Sequence, residues 1–358
     1  MKKFVIGFCC FVIISCSSIQ KSSTEKVQLK FLDEYILPEN IIIDDTTVGG
    51  LSGIDYYNDT YYLVCDDPRN PRYYKAKIDI NNSKIATIDI QKAILIKDTT
   101  HFLDLEAIRY NSATNKIIMT SEGHINKQKD PLLFNVNSNG EIQNEFKLPK
   151  AFKSNSKQKP RHNGTLEGLS LDIAKKGYWV AMELPLEADG PEPQLVKTNS
   201  PIRITYIDAA SNQPVRQFAY VLDSISKKPK GNFAVNGLTD ILAYDKDTFF
   251  VIERSYSSGL GKLGNTVRIF KVSISKATNT LKYNSLKDAN YIAATKELVF
   301  DFENVRSQLT DNSIDNIEGI TFGSTLPNGN RTLILVSDNN FSKFEKQFNQ
   351  FVLFEILN

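Results

Sequence analysis

Along most of the chain, apolar residues come in short runs rather than on one helical face. Stretches such as YYLV, KIIMTS, YWVAM, TFFVIE and TLILVS alternate with turns carrying Asn, Asp, Gly and Lys. A helix would bring its apolar residues round every 3.6 positions; this pattern predicts antiparallel strands joined by hairpins. The run NVNSNG at 135–140 copies the first half of a calcium-binding loop, but its twelfth position is Phe146, so a hairpin turn is expected there.

The strand pairs repeat with the same acidic punctuation. Ser52-Gly53-Ile54-Asp55-Tyr56 leads to Val64-Cys65-Asp66, and Glu106-Ala107-Ile108-Arg109-Tyr110 leads to Met119-Thr120-Ser121-Glu122. Glu167 and Glu183, Asp240 and Glu253, and Glu318 and Asp338 mark the entrances and exits of three further units. Each unit continues into a third strand (RYYKAKIDI, PLLFNVN, IRITYIDAA, TVRIFKVSI, FVLFEIL), and the first four into a fourth (KIATIDIQKAIL, EIQNEFKL, VRQFAYVL, ELVFDF). The fifth lacks one, and VQLKFLDEYIL near the N-terminus can supply it by closing a ring. Four-stranded units with entrances at positions 52, 106, 167, 240 and 318 predict an all-β protein, a β-propeller of five blades. A sixth, degenerate blade in the long interval after position 240 is the competing count. An open sandwich does not account for acidic marks in every unit.

In a blade, the start of the innermost strand and the end of its antiparallel neighbour lie at the same end of the channel. Glu106, Glu167, Asp240 and Glu318 are therefore expected to form an arc, with Asp66, Glu122, Glu183, Glu253 and Asp338 just outside it. Unit charges ~8 Å apart repel by about 2 kcal/mol at an effective dielectric near 20, so such a ring must protonate, pair with bases or hold a cation. Arg109, Arg254 and Arg268 are the bases the sequence offers beside the marks. An all-oxygen donor set suits calcium rather than zinc. The alternative role for each carboxylate is a staple that accepts N–H groups from the adjoining blade. The lysine-rich loop KLPKAFKSNSKQKPRH at 147–162 and KKPK at 227–230 each precede an entrance, so their cations are expected to drape over the mouth.

Other chemistry is sparse. There is no G-x-S-x-G, HExxH or Walker motif, and His101, His124 and His162 are not at metal-ligand spacing. A net charge of +2 argues against a general nucleic-acid binder. Lys2 and Lys3 precede the apolar run Phe4–Ile14, too short for a membrane span, and Ile13-Ile14-Ser15-Cys16 resembles a bacterial lipoprotein signal. The expected organisation is a signal at 1–16 with lipidation at Cys16, a polar tether at 17–26 and one domain at 27–358. The protein would then be an exported lipoprotein of the cell envelope, on the outer membrane, touching lipid only through its anchor. Of the four cysteines this leaves Cys65 alone in the domain, without a disulfide partner and expected to be buried.

The strings GLSGIDY, LVCDDPR, DLEAIRY, TLEGLSLD, VAMELPLEADG, FFVIERSY, NIEGITFG and TLILVSDNNF, in this order, resemble the phytase-like family, described as "esterase-like activity of phytase". The resemblance implies a propeller in an exported protein. It also links the chain to calcium-dependent propeller phytases, whose acidic channel residues bind calcium ions that receive phosphate. The expected function is a hydrolase of an anionic ester, with calcium held chiefly by Glu167 and Glu318 and the anion clamped by Arg254 and Arg161. The alternative is a non-catalytic propeller that binds a glycan, peptide or protein at the envelope.

Overall fold

A computed structural model describes residues 27–343 and 346–357, and the expected signal, Cys16 and the tether lie outside these residues. Five four-stranded antiparallel sheets form a ring. Blade 1 comprises Leu51–Tyr57, Thr60–Cys65, Arg72–Asn81 and Lys84–Leu95; blade 2 comprises Leu105–Asn111, Lys116–Ser121, Leu132–Val136 and Ile142–Phe146. Blade 3 is built from Leu166–Leu171, Gly177–Met182, Pro201–Asp208 and Gln213–Val221, and blade 4 from Ala234–Asp245, Thr248–Ser257, Asn265–Ser273 and Thr295–Asp301. Blade 5 has Asn316–Phe322, Thr332–Asp338 and Asn349–Leu357, completed by the N-terminal strand Gln28–Leu37. That strand pairs from Gln28 opposite Leu357 to Leu37 opposite Asn349. It thereby covers an edge that would otherwise be open. The expected five blades and terminal closure are both present, with no sixth blade among the described residues.

The hairpins follow from local chemistry. Asn58-Asp59 and Asn82-Ser83 occupy left-handed conformations at two-residue turns, which match the twist of the flanking strands. Residues 135–140 form the expected hairpin turn; Gly140 has φ +77, and a Cβ there would fall 2.0 Å from the carbonyl of Leu95.

The apolar residues lie between the sheets, so each interface between blades carries its own core. Trp179 anchors that of blades 3 and 4, its ring centroid 5.4 Å from those of Phe218 and Phe249. Leu63, Tyr74, Ile334 and Phe351 join blades 1 and 5; Ile252, Ile269, Ile320 and Leu335 join blades 4 and 5. Cys65 lies in the first of these, and burial pushes its thiol well above the ordinary value, so it packs as an apolar residue. The long connection 274–294 of blade 4 runs along the outer edge of blade 3, donating from Thr280 N to Gln217 O and from Ala294 N to Ala219 O. This edge too is covered.

Candidate functional site in the channel mouth

The innermost strands share a bulge, and the bulge decides which side chains enter the channel. In blades 1, 3 and 5 the extra residue is Ser52, Glu167 or Glu318; in blade 2 it falls at Glu106-Ala107. In blade 4, Leu238 lies opposite Glu253 and Asp240 opposite Ile252, so the extra residue is Thr239. The neighbour contacts agree: the Ser52 hydroxyl donates to Leu105 O of the next blade, and the Thr239 hydroxyl donates to the matching Ile317 O. The exit position in blade 4 is then Arg254, one residue beyond Glu253. Because side chains alternate along a strand, a slip of one residue changes the face each occupies.

This corrects two expectations. Asp240 is not in the mouth; it stands where the other blades have Gly53, Ala107, Gly168 and Gly319. There the inner strands approach so closely that a Cβ on Gly53 would meet Glu106 O at 2.8 Å, and one on Gly319 would meet the Gly53 Cα at 2.9 Å. Glu253 faces the interface with blade 3, bonded to the Tyr220 hydroxyl at 2.5 Å, Asn236 Nδ2 at 2.7 Å and Lys296 at 2.5 Å.

Below the mouth, Asp240 meets Arg109 and the pair closes the channel. Arg109 is 1% exposed. Its guanidinium donates to the carbonyls of Ile54, Ile108, Ile241 and Ile320 and, at 2.8 Å, to Asp240 Oδ2. Asp240 also accepts from the backbone N–H groups of Leu169, Ile241 and Ile320. One ion pair thus touches all five blades. Burial pushes the Asp240 carboxyl up while Arg109 pulls it down. Here the carboxylate is a staple, as the alternative reading of the marks allowed.

Above this plug lies a cavity of about 570 Å³, lined by Asp66, Glu106, Glu122, Glu167, Glu183, Glu318 and Asp338, seven of the nine expected carboxylates. Asp104, which sequence reasoning missed, joins them. Carboxylate oxygens of Asp66, Asp104 and Glu106 lie within 4.8 Å of one another, as do those of Glu106, Glu122 and Glu167. Asp104 directly precedes the inner strand of blade 2, at the place Asn316 holds in blade 5, and that recurrence was its available signal. Glu122 is partly a staple, accepting from Gly164 N of the next blade at 3.1 Å. Glu106 and Glu167 meet no hydrogen-bond donor among the described residues.

Burial and mutual repulsion push these groups up together. Glu106 and Glu167 rise well above the usual carboxylate range, first from desolvation and then from their acidic neighbours. Glu122 and Glu318 are pushed up to about 8 and Glu183 to about 7, all chiefly by burial. Asp66 is raised well above its ordinary value and shares a hydrogen bond with Asp104. Left to themselves, these groups hold protons that a cation would displace. The donors are all oxygen, which fits a hard cation such as calcium.

Arg254 is the single base at the exit positions, with Nη2 3.4 Å from Glu318 Oε1 and its Nε buried without a partner. Arg161 lines the rim but is engaged, donating to Pro185 O and Gly190 O and pairing with Glu192 at 2.9 Å. The lysines expected over the mouth lie elsewhere. Lys147, Lys150 and Lys153 border a separate groove between blades 2 and 3, and Lys227 pairs with Glu303 at 2.7 Å. Arg268 pairs with Asp301 rather than with a mark. His101 is bonded to Asp98, whereas His162 lines the mouth and stacks on His124 at 4.2 Å.

The family model for phytase-like proteins, "esterase-like activity of phytase", matches residues 46–341. The chain belongs to the phytase-like family. None of the curated proteins matches it. Among solved structures, the phytase-like chain is similar to a member of the DUF4221 family from Bacteroides vulgatus, at 12% identity and a TM-score of 0.40, covering 92% of this chain and 99% of that one. It is also similar to a thermostable family-43 glycoside hydrolase, at 9% identity and a TM-score of 0.46, covering 89% and 92%. The family match spans both halves of the phytase-like mouth, from the Asp66 side to Asp338.

Proposed function

We propose that this phytase-like propeller is a calcium-dependent hydrolase of an anionic ester, with its site in the channel mouth. The carrying observation is the pair of carboxylate groups that share Glu106, a residue whose carboxylate, like that of Glu167, meets no donor among the described residues. Asp66, Asp104 and Glu106 would hold one ion, and Glu106, Glu122 and Glu167 would hold another. When bound, calcium supplies positive charge that polarises a phosphoryl or acyl oxygen and favours attack by water. Glu318, expected to be a ligand, is bonded to Asn316 Nδ2 at 2.7 Å and faces Arg254, so it orients that guanidinium. Arg254 then holds the anionic group, and its planar fork suits phosphate or carboxylate. Arg161 shapes the rim, held by the segment that follows the second strand of blade 3. The chain's first residues support a place at the cell envelope, exported and lipidated at Cys16.

The test is a calorimetric titration of the parent and of a Glu106→Gln, Glu167→Gln variant with calcium, followed by assays on phosphomonoesters and short acyl esters. Calcium binding by the parent, lost in the variant together with turnover, supports the reading. Parent protein that binds no calcium at millimolar concentration overturns the ion site. Calcium and ester binding without turnover would favour the non-catalytic binding module.

A further inference from the structure

The inner hairpin of blade 4 is longer than its counterparts. Its strands run 12 and 10 residues, against six or seven in the other blades. The extra length at the mouth end precedes Thr239 on one strand and follows Arg254 on the other, so blade 4 rises above the ring as a wall. Gly237 pairs with Arg254 and Val235 with Tyr256. Residues two apart on a strand share a face, and Val235, Arg254 and Tyr256 all line the cavity, with Phe233 beside them. A Cβ at Gly237 would lie 2.5 Å from Glu183 Oε1, so the small residue keeps the foot of the wall open to the acidic ring.

The wall has unused binding capacity. Phe233 is 57% exposed, and its ring centroid stands 6.2 Å from that of Tyr256 at an interplanar angle of 43°. Asn265, opposite Tyr256 on the third strand, is 9% exposed and lines the same cavity. Its Oδ1 is buried and meets no donor among the described residues. At the foot of the wall, Arg254 Nε is likewise buried and unpartnered. A buried polar group without a partner calls for one, and these two line the same cavity. An exposed aromatic above an arginine and beside an unpartnered amide matches one kind of ligand: an anion attached to a flat ring that carries a hydrogen-bond donor.

We propose that the blade 4 wall is a recognition subsite for a planar ring borne by the anionic ester. The ring lies against Phe233 and Tyr256, a donor on it reaches Asn265, and the anionic group sits at Arg254 beside the acidic ring. This rests on reading the mouth as an anion site, and it adds a preference for aryl over small alkyl esters.

Full-length protein in calcium would be titrated calorimetrically with phenyl phosphate, methyl phosphate and inorganic phosphate. The parent should bind phenyl phosphate about tenfold more tightly than methyl phosphate, the scale expected for burying one ring against two others. A Phe233→Ala, Tyr256→Ala variant should bring that ratio close to one while leaving the affinity for inorganic phosphate unchanged. Phe233→Ser alone, at an exposed position, should narrow the ratio without endangering the fold. Equal affinities for the two esters in the parent, or a ratio that survives in both variants, would overturn the subsite. Binding of inorganic phosphate in that case would leave the anion site standing, whereas no binding of any of the three would remove both.

Discussion

Removing the Asp240 carboxylate tests whether the plug organises the ring. In Asp240→Ala the Arg109 guanidinium remains, almost wholly buried, with four carbonyl partners and no carboxylate bonded to it. Breaking a buried pair by deleting one partner costs about 3–5 kcal/mol. The N–H groups of Leu169 and Ile320, in blades 3 and 5, also lose their acceptor, which places this site at the upper end of that range. At roughly 2.1 cal/mol/K per residue over about 330 residues, the unfolding entropy is near 0.7 kcal/mol/K, so a loss of about 5 kcal/mol lowers Tm by about 7 °C. Thermal unfolding by circular dichroism and urea titration would measure it. The paired change Arg109→Met, Asp240→Ala removes both charges and should recover part of the loss, because the guanidinium no longer stands without the carboxylate it bonds. A drop of less than about 1 °C in the single variant, or additive losses in the pair, would refute the idea that the two residues act as one staple.

Calcium at about a hundred times its Kd should stabilise the parent by about 2.7 kcal/mol, or roughly 4 °C in Tm by the same conversion, and the Glu106→Gln, Glu167→Gln variant should show little of this in differential scanning calorimetry. In calcium-free buffer, stability should fall as pH rises from about 4.5 to about 8. Glu122 and Glu318 are pushed up to about 8 in the fold, so the unfolded chain releases their protons first. A calcium-free Tm that is flat or rising across that window would contradict the crowding of these carboxylates. Deleting residues 27–37 should expose the strand Asn349–Leu357 and broaden the melting transition, whereas an unchanged, sharp melt would exclude ring closure by this segment. Cys16→Ala should abolish lipid labelling and release the protein from membranes; label retained by the variant would disprove lipidation there.

Short apolar runs, turn residues and five recurring marks were enough to determine the strands, the blade count and the closure, because each blade is a local unit with its own hairpins. The same repetition made seven cavity carboxylates legible. It failed in blade 4, where Asp240 and Glu253 continue the acidic pattern in sequence but Thr239 and Arg254 hold the ring positions. A bulge adds one residue whose place depends on pairing with the partner strand, and a one-residue shift exchanges the two faces. The tertiary structure therefore decided that the mouth has an arginine where four blades have acids, that Asp104 joins the cluster, and that the basic loop mostly turns away. It alone brought Arg109 to Asp240, 131 residues apart, because backbone groups from five blades converge on the axis and demand partners there.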